Sequence, residues 1–415
     1  MFLDNYHHLK KNEIYTLFLL VLFSIFARIP AIFIFGDTNL DNEWGVLVNN
    51  LINHGTLAIN YQNYDLHKYV LPNVFMPPLY AYYLYFFSIF NLSEQSYINL
   101  ILLSQIILAT ISVLIFYKLN KFFFSQKLSF YSSLLFSLFP LHVYACTQIS
   151  SITLQVCLTI LFFYFFYKFV EKEKLINVIV FSFTVGLLIL LRGEFVAILA
   201  ITILYLIVFF KTSIKNILLI VLISLITISP YLTRNILVFE KIVITKSFGY
   251  NLWKGNNPQA NVEGTKKEST DLLERIESIP INKFYGINFD KVYLNNALEN
   301  IEEDPKKYLI LFLKKIVSFL FIDIKSSQAN YYNPFHYLPV LLLGLTSLVG
   351  IFISDKKSYK LNYLILIFFT NIFIFSIFFI LPRYKLVILP LQIIFTNILI
   401  QKICKKYFNK KKIHI

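Results

Sequence analysis

Runs of about twenty apolar residues, separated by short lysine-bearing connections, recur along most of this 415-residue chain. Each run is near the roughly 20 residues that carry a helix across about 30 Å of hydrocarbon. Inside lipid the backbone has no water to bond, so such a run must satisfy its own N–H and C=O groups as a helix. A content of 57% hydrophobic residues fits that reading. The fold class expected is an all-α polytopic membrane protein with about ten transmembrane helices, forming a single membrane domain over 1–415. The two or three soluble domains that this length would otherwise suggest are not expected.

Spans are expected near 14–35, 97–118, 128–147, 151–170, 174–191, 194–210, 215–232, 335–354, 360–381 and 384–401. The first is too long for a removable signal peptide, and no small-residue cleavage site follows it. With Lys10 and Lys11 in the cytoplasm, every lysine-rich connection falls on the same side. These hold Lys118, Lys121 and Lys127, then Lys168, Lys172 and Lys174, then Lys211 and Lys215, then Lys356, Lys357 and Lys360, and finally the tail from Lys402 to Lys412. This is the positive-inside pattern, and an even number of spans puts both termini in the cytoplasm of a multi-pass inner-membrane protein. It also accounts for the net charge of +15 without a soluble basic domain, so no nucleic-acid partner is expected. Cys146, Cys157 and Cys404 lack metal-ligand or disulfide spacing and read as packing residues.

Two apolar segments must not cross if the charge pattern is to hold. Pro78 to Phe90 is short and opens on a Pro-Pro pair, and Tyr308 to Ile322 carries Lys314 and Lys315 in its middle. Both are expected as interfacial helices with their apolar sides sunk among headgroups. Two regions then face outward: a first loop over 36–96 and a larger helical segment over 234–334.

The polar residues of these regions suggest chemistry. Asp37, Asp41 and Glu43 cluster just past the first span, where acidic groups are costly unless solvated or paired. Of 38 basic residues only Arg28, Arg192, Arg234, Arg275 and Arg383 are arginine. Arg192, Arg234 and Arg383 all fall at outer ends of spans, and their planar donor forks suit phosphate oxygens better than an ammonium does. Snorkelling at the interface is the plainer account of each. Together, the set suits a reaction in which Arg and Lys stabilise a lipid-phosphate leaving group and a carboxylate takes the proton of an attacking hydroxyl. Neither common Gly-rich phosphate loop is present, so no nucleotide is required.

At this point the residues resemble a family. Ser229-Pro-Tyr-Leu-Thr-Arg234-Asn235, Phe239-Glu-Lys and Phe248-Gly-Tyr-Asn-Leu-Trp253-Lys-Gly-Asn256-Asn257-Pro258 look like a signature of bacterial polyprenyl-phosphate-dependent glycosyltransferases. These belong to the C superfamily, with the protein O-mannosyltransferases and the lipid A aminoarabinose transferase of family 39. Further pieces recur in the same order: Glu43-Trp44, Pro77-Pro78-Leu79-Tyr80, Leu191-Arg192-Gly-Glu194, Asp304-Pro305 with Lys314 ten residues on, and Pro382-Arg383-Tyr384. The resemblance covers nearly the whole chain. It implies an inverting transfer of a sugar from a polyprenyl-phosphate donor, with or without a divalent metal and with no other cofactor. The acceptor would be a lipid, a glycan or a protein side chain.

The family's acidic motif maps onto Asp41 and Glu43, here spaced Asp-Asn-Glu, with Asp37 nearby. Asp41 or Glu43 is favoured over Asp37 as the catalytic carboxylate. Arg192, Arg234, Arg383 and Lys314 become donor-phosphate ligands, the alternative for Lys314 and Lys315 being contact with anionic headgroups. Trp44, Tyr80, Trp253 and Tyr384 become substrate contacts, although aromatics at this depth are usually belt anchors. His54 and His67 are the histidines placed to join a metal site. Asn256-Asn257-Pro258 reads as a turn. A transporter or flippase of lipid-linked sugars is the alternative function, but it would put charges and Gly/Pro breaks within the spans. A scaffold would leave the polar set unexplained, and a ligase of lipid-linked glycans would use similar electrostatics.

Overall fold

A computed structural model describes residues 2–59, 70–328 and 331–411. The all-α expectation is borne out, the described strands being a two-residue antiparallel pair, β1 (Ala58–Ile59) with β2 (Leu71–Pro72). Among the described residues, six helices are long and apolar enough to cross a membrane. They are Glu13–Phe35 of α1 (Phe2–Phe35), α4 (Glu94–Asn120), α7 (Ile152–Glu171), α10 (Ile214–Phe239), α15 (Pro334–Phe352) and α16 (Tyr359–Ile377). Two shorter apolar helices, α8 (Leu175–Leu191) and α9 (Phe195–Phe209), correspond to further expected spans.

Two expected spans differ. The run 128–147 is broken into α5 (Gln126–Leu138) and α6 (Pro140–Ala145), because Pro140 cannot continue the helix before it and instead starts the next one at its first position. The run 384–401 begins in a 3₁₀ turn, Pro382–Val387, and becomes α-helical only as α17 (Leu389–Lys411). Both breaks bring backbone and polar side chains to one end of the bundle.

Small residues let the helices approach. A Cβ on Gly186 of α8 would lie 2.5 Å from Thr227 of α10, and Ser224 of α10 donates to the Ser182 carbonyl at 3.0 Å. Gly350 of α15 lies against the backbone of Phe395 in α17, where a Cβ would be 1.9 Å from the carbonyl oxygen. At one end of the bundle are the lysine-bearing connections: Lys121 pairs with Glu13 at 2.6 Å and Lys360 with Glu171 at 2.6 Å. The Phe123 and Tyr167 rings, 5.1 Å apart, join these two corners.

The other end carries α2 (Glu43–His54), α3 (Pro78–Ser88) and a helical layer of α11 (Phe248–Asn256), α12 (Thr270–Glu277) and α13 (Tyr285–Glu303). That layer has its own core of Leu252, Trp253, Leu272, Ile276, Tyr293 and Ala297. The N-terminus of α11 is held by buried Asp290, whose carboxylate accepts the Tyr250 N–H at 3.0 Å. The next helix, α14 (Pro305–Leu320), is capped by Asp304, which accepts the Lys307 N–H at 3.0 Å. It packs on α16, with Leu311 and Phe319 buried and Leu309, Leu313 and Val317 exposed.

Candidate active site

The first loop is fastened to the turn that follows α6. Asp37 donates its N–H to the Thr147 carbonyl at 3.1 Å, and its Oδ2 accepts the Ile149 N–H at 2.6 Å. Gln105 of α4 holds the same turn from beneath, donating to the carbonyls of Cys146 at 3.2 Å and Gln148 at 3.1 Å. Asp37 is half-buried, and burial pushes its carboxyl above the usual range, offset in part by the Ile149 N–H. Asn42 then caps α2, accepting from the Trp44 and Gly45 N–H groups at 3.0 and 3.3 Å. Gly45 is required there, since a Cβ would meet the Leu40 carbonyl oxygen at 1.8 Å. Asp41 and Glu43 stand exposed on either side of this cap.

Three cations assemble along two rings. The Arg192 and Arg383 guanidiniums lie 5.9 and 5.7 Å from the Tyr384 centroid. Tyr384 is 5.9 Å from Phe379, and the Lys254 ammonium sits 4.1 Å over the Phe379 ring. Such placement over an aromatic face favours a cation without neutralising it, leaving its N–H donors for an anion. Burial lowers the Lys254 ammonium to about 8, with Lys266 and Arg383 adding to the effect and Glu43 opposing it. Glu43 is therefore the carboxylate of the first loop that shares an electrostatic environment with this cluster. Arg192 is oriented by Gln155 of α7, whose Oε1 accepts the Arg192 Nε–H at 3.0 Å.

The other candidates are placed differently. Arg234 is a clamp: one terminal nitrogen donates to the Asn73 carbonyl and to Asn235 Oδ1, both at 2.8 Å, and the other donates to the Leu57 carbonyl at 2.9 Å. It joins α10 to Leu57 and Asn73, which flank the β1–β2 pair within the first loop, and this explains why an arginine is needed there without invoking a phosphate. Arg234→Met is expected to lower stability by at least about 1.5–3 kcal/mol, the usual worth of hydrogen bonds to a charged group. Thermal melting in detergent checks it. Lys314 is exposed on α14, whereas Lys315 is fully buried and donates to the Gly255 carbonyl at 2.8 Å and to Asn256 Oδ1 at 3.2 Å. Burial pulls Lys315 down to about 7.

Trp44, Tyr80 and Trp253 are 8%, 0% and 1% exposed, so they pack rather than offer an open stacking face. Trp44 meets Tyr80 edge-on at 4.9 Å, the Tyr80 hydroxyl donates to Gln105 at 3.3 Å, and Trp253 meets Tyr293 at 4.7 Å. Tyr384 is the half-buried aromatic of the four and lies within the cation cluster. Among the described residues no three of His, Cys, Asp and Glu are gathered to hold a metal ion. His54 is exposed at the end of α2, and His67 lies outside the described residues. The Asn256-Asn257-Pro258 turn is as expected, with Asn257 Oδ1 accepting the Gln259 N–H at 2.9 Å.

Lys254 and Gln155 were not singled out in the sequence. Lys254 lies inside the Trp253-Lys-Gly motif but is one of many lysines, and Gln155 sits in an apolar run with nothing nearby to flag it. What fixes Lys254 is its neighbour. A Cβ on Gly255 would fall 1.8 Å from the Phe378 carbonyl oxygen, so glycine lets α11 press against the segment bearing Phe379.

Comparison with known proteins agrees with this architecture. Residues 76–233 match the family described as dolichyl-phosphate-mannose-protein mannosyltransferase. No curated protein matches the chain in sequence. Among solved structures it is similar to the archaeal oligosaccharyltransferase AglB from Archaeoglobus fulgidus in complex with an inhibitory peptide and a dolichol-phosphate. That match has a TM-score of 0.55 at 13% identity and covers 100% of this chain and 52% of that one. The A. fulgidus enzyme tethered to an acceptor peptide gives 0.54 at 13%, over 95% and 50% of the two chains. ArnT from Cupriavidus metallidurans bound to undecaprenyl phosphate gives 0.46 at 10%, over 90% and 77%. The chain spans about half the length of the A. fulgidus protein. The matched segment and the shared fold bear out the resemblance carried by the motifs: residues 76–233 match a mannosyltransferase family, and the chain shares its fold with the A. fulgidus oligosaccharyltransferase.

Proposed function

We propose that this chain is an integral-membrane glycosyltransferase that moves a sugar from a polyprenyl-phosphate donor to an acceptor hydroxyl. The observation that carries the reading is the cation cluster of Arg192, Arg383 and Lys254 around Phe379 and Tyr384, with the Glu43 charge acting on Lys254. In the step proposed, the acceptor oxygen attacks the anomeric carbon from the side opposite the phosphate. The carbon–oxygen bond to phosphate breaks, the lipid phosphate leaves with the electron pair, and the acceptor proton passes to the carboxylate. One displacement of this kind inverts the anomeric centre. Because this end of the bundle lies opposite the lysine-bearing connections, the positive-inside rule supports cytoplasmic termini and an extracytoplasmic site. Dolichol-phosphate on AglB supports a long isoprenoid as the donor's tail.

The test is a transfer assay on purified protein with radiolabelled polyprenyl-phosphate sugars and membrane lipid extract. Label reaching an acceptor is the expected result. Consumption of no donor, together with flipping of lipid-linked sugar in vesicles, would overturn the reading in favour of transport.

The state of Lys254 makes a second prediction. An ammonium is charged below its pKa, and Lys254 is lowered to about 8, so cationic help to the phosphate is present at neutral pH and lost as pH rises through about 8. The pH profile of kcat/KM reports groups of the free enzyme. It is expected to fall on this alkaline limb in wild type, and Lys254→Met should have a lower and flatter profile there.

A further inference from the structure

We propose that Gln155 is a further phosphate-binding residue, presenting its side-chain N–H2 to the donor's phosphate beside the Arg192 guanidinium. This rests on the lipid-phosphate donor of the proposed function. Gln155 is 0% exposed in the first turn of α7, and its Oε1 accepts the Arg192 Nε–H at 3.0 Å. That bond settles which way the amide faces, because arginine has donors only and the other orientation would set N–H against N–H. The Gln155 Nε2 group is thereby turned away from Arg192, and it is enclosed with no hydrogen-bond partner. Leaving such a donor buried and unmet costs about 1–3 kcal/mol, so it calls for an acceptor that arrives from elsewhere.

The acceptor has a definite chemistry. With Nε committed to Gln155, Arg192 keeps its two terminal nitrogens as the edge that grips an oxyanion. The helix end on which Gln155 sits also favours negative charge. An amide N–H2 beside a guanidinium fork is matched to phosphate oxygens. Glu194, two residues beyond Arg192, retains an enclosed and unpartnered Oε1, which as an acceptor suits a hydroxyl and not a phosphate. Gln155 thus has two tasks carried by its two ends: Oε1 orients Arg192, and Nε2 donates to the anion.

Two substitutions separate these tasks. Gln155→Glu keeps an acceptor for the Arg192 Nε–H but replaces the N–H2 with a negative oxygen. Gln155→Met, similar in length, removes both ends without adding charge. The probe is undecaprenyl phosphate titrated into purified full-length protein in nanodiscs, with undecaprenol and phosphatidylglycerol as controls and thermal melting for folding. The expected order of affinity is wild type, then Met, then Glu, with the Glu variant weakened by at least about tenfold, as for a lost charge-assisted contact. Undecaprenol and phosphatidylglycerol should not compete. If Gln155 only orients Arg192, the order reverses, with Glu near wild type and Met the weaker, and the inference is overturned while the donor reading stands. Displacement by phosphatidylglycerol would make this a headgroup site and overturn it as well. Should the Glu variant fail to fold, wild-type affinity in the Met variant is the overturning result. Folded wild type that binds no undecaprenyl phosphate would remove the donor reading and this inference with it.

Discussion

Glu43→Gln is expected to leave folding and membrane insertion unchanged and to slow sugar transfer by about 100- to 10,000-fold, the usual loss when a general base is removed. The insensitivity of folding follows from position. Glu43 is exposed in the first turn of α2, and the cap is supplied by Asn42, so the substitution removes no buried contact. The loss of rate is expected because Glu43 is the loop carboxylate whose charge acts on Lys254, one of the cations proposed to hold the donor's phosphate. A hydroxyl approaching the anomeric carbon must shed its proton on the side facing away from the leaving phosphate, and an amide cannot accept it. Asp41→Asn and Asp37→Asn are the needed comparisons. Asp41 is exposed without a described tie to the cations, and Asp37 is bound to the Ile149 N–H, so a fall for Asp37→Asn accompanied by lower stability would mark it as the loop's anchor. Transfer at wild-type rate in Glu43→Gln with loss in Asp41→Asn would move the base two residues along the chain. Rates and melting temperatures measured together decide between these outcomes.

The bundle was legible because its cause is local. An apolar run in lipid has one way to satisfy its backbone, and Ile14 to Phe35 or Ile152 to Glu171 announce it by length alone. The breaks were less legible. The run on either side of Pro140 is apolar and so looks like one continuous span, yet its missing N–H divides the run into α5 and α6. That division frees the turn at 147–149, to which Asp37 is tied.

The site was legible in part, for a related reason. Scarcity picked out the arginines, and two of the three outer ones, Arg192 and Arg383, do converge on Tyr384. Scarcity marks the need for a planar donor fork without saying what the fork binds, and at Arg234 it binds the chain's own carbonyls. Aromatic residues were misleading in the same way. Trp44, Tyr80 and Trp253 carry motif positions because large rings fill the seams between α2, α3, α11 and α13, which a pattern cannot distinguish from a ring meant for a sugar. Gln155 had no signal at all, since its role depends on a partner 37 positions away.

Arg192→Ala and Arg383→Ala are each expected to lower kcat by about 100- to 1,000-fold, as when one donor to a developing oxyanion is removed. The effect should fall on kcat as well as KM because of how charge changes along the reaction. A sugar joined to a polyprenyl phosphate is a diester with one negative charge. When the bond to the sugar breaks, the departing monoester gains a further charge of up to one unit at neutral pH. A cation beside it therefore interacts more strongly in the transition state than with the bound donor, which is the condition for raising the rate. Arg192 and Arg383 flank one ring and would hold one group, so their losses should not add: the double variant is expected to be less impaired than the product of the singles. Lysine at either position restores charge without the bidentate fork and should recover only part of the rate. At position 192 it also fails to offer the Nε–H that Gln155 accepts, so recovery should be poorer there than at exposed position 383. Steady-state transfer kinetics on the four single variants and the double variant check the whole pattern. Wild-type kcat in both alanine variants, with only KM changed, would assign the cluster to donor capture and remove it from the chemical step.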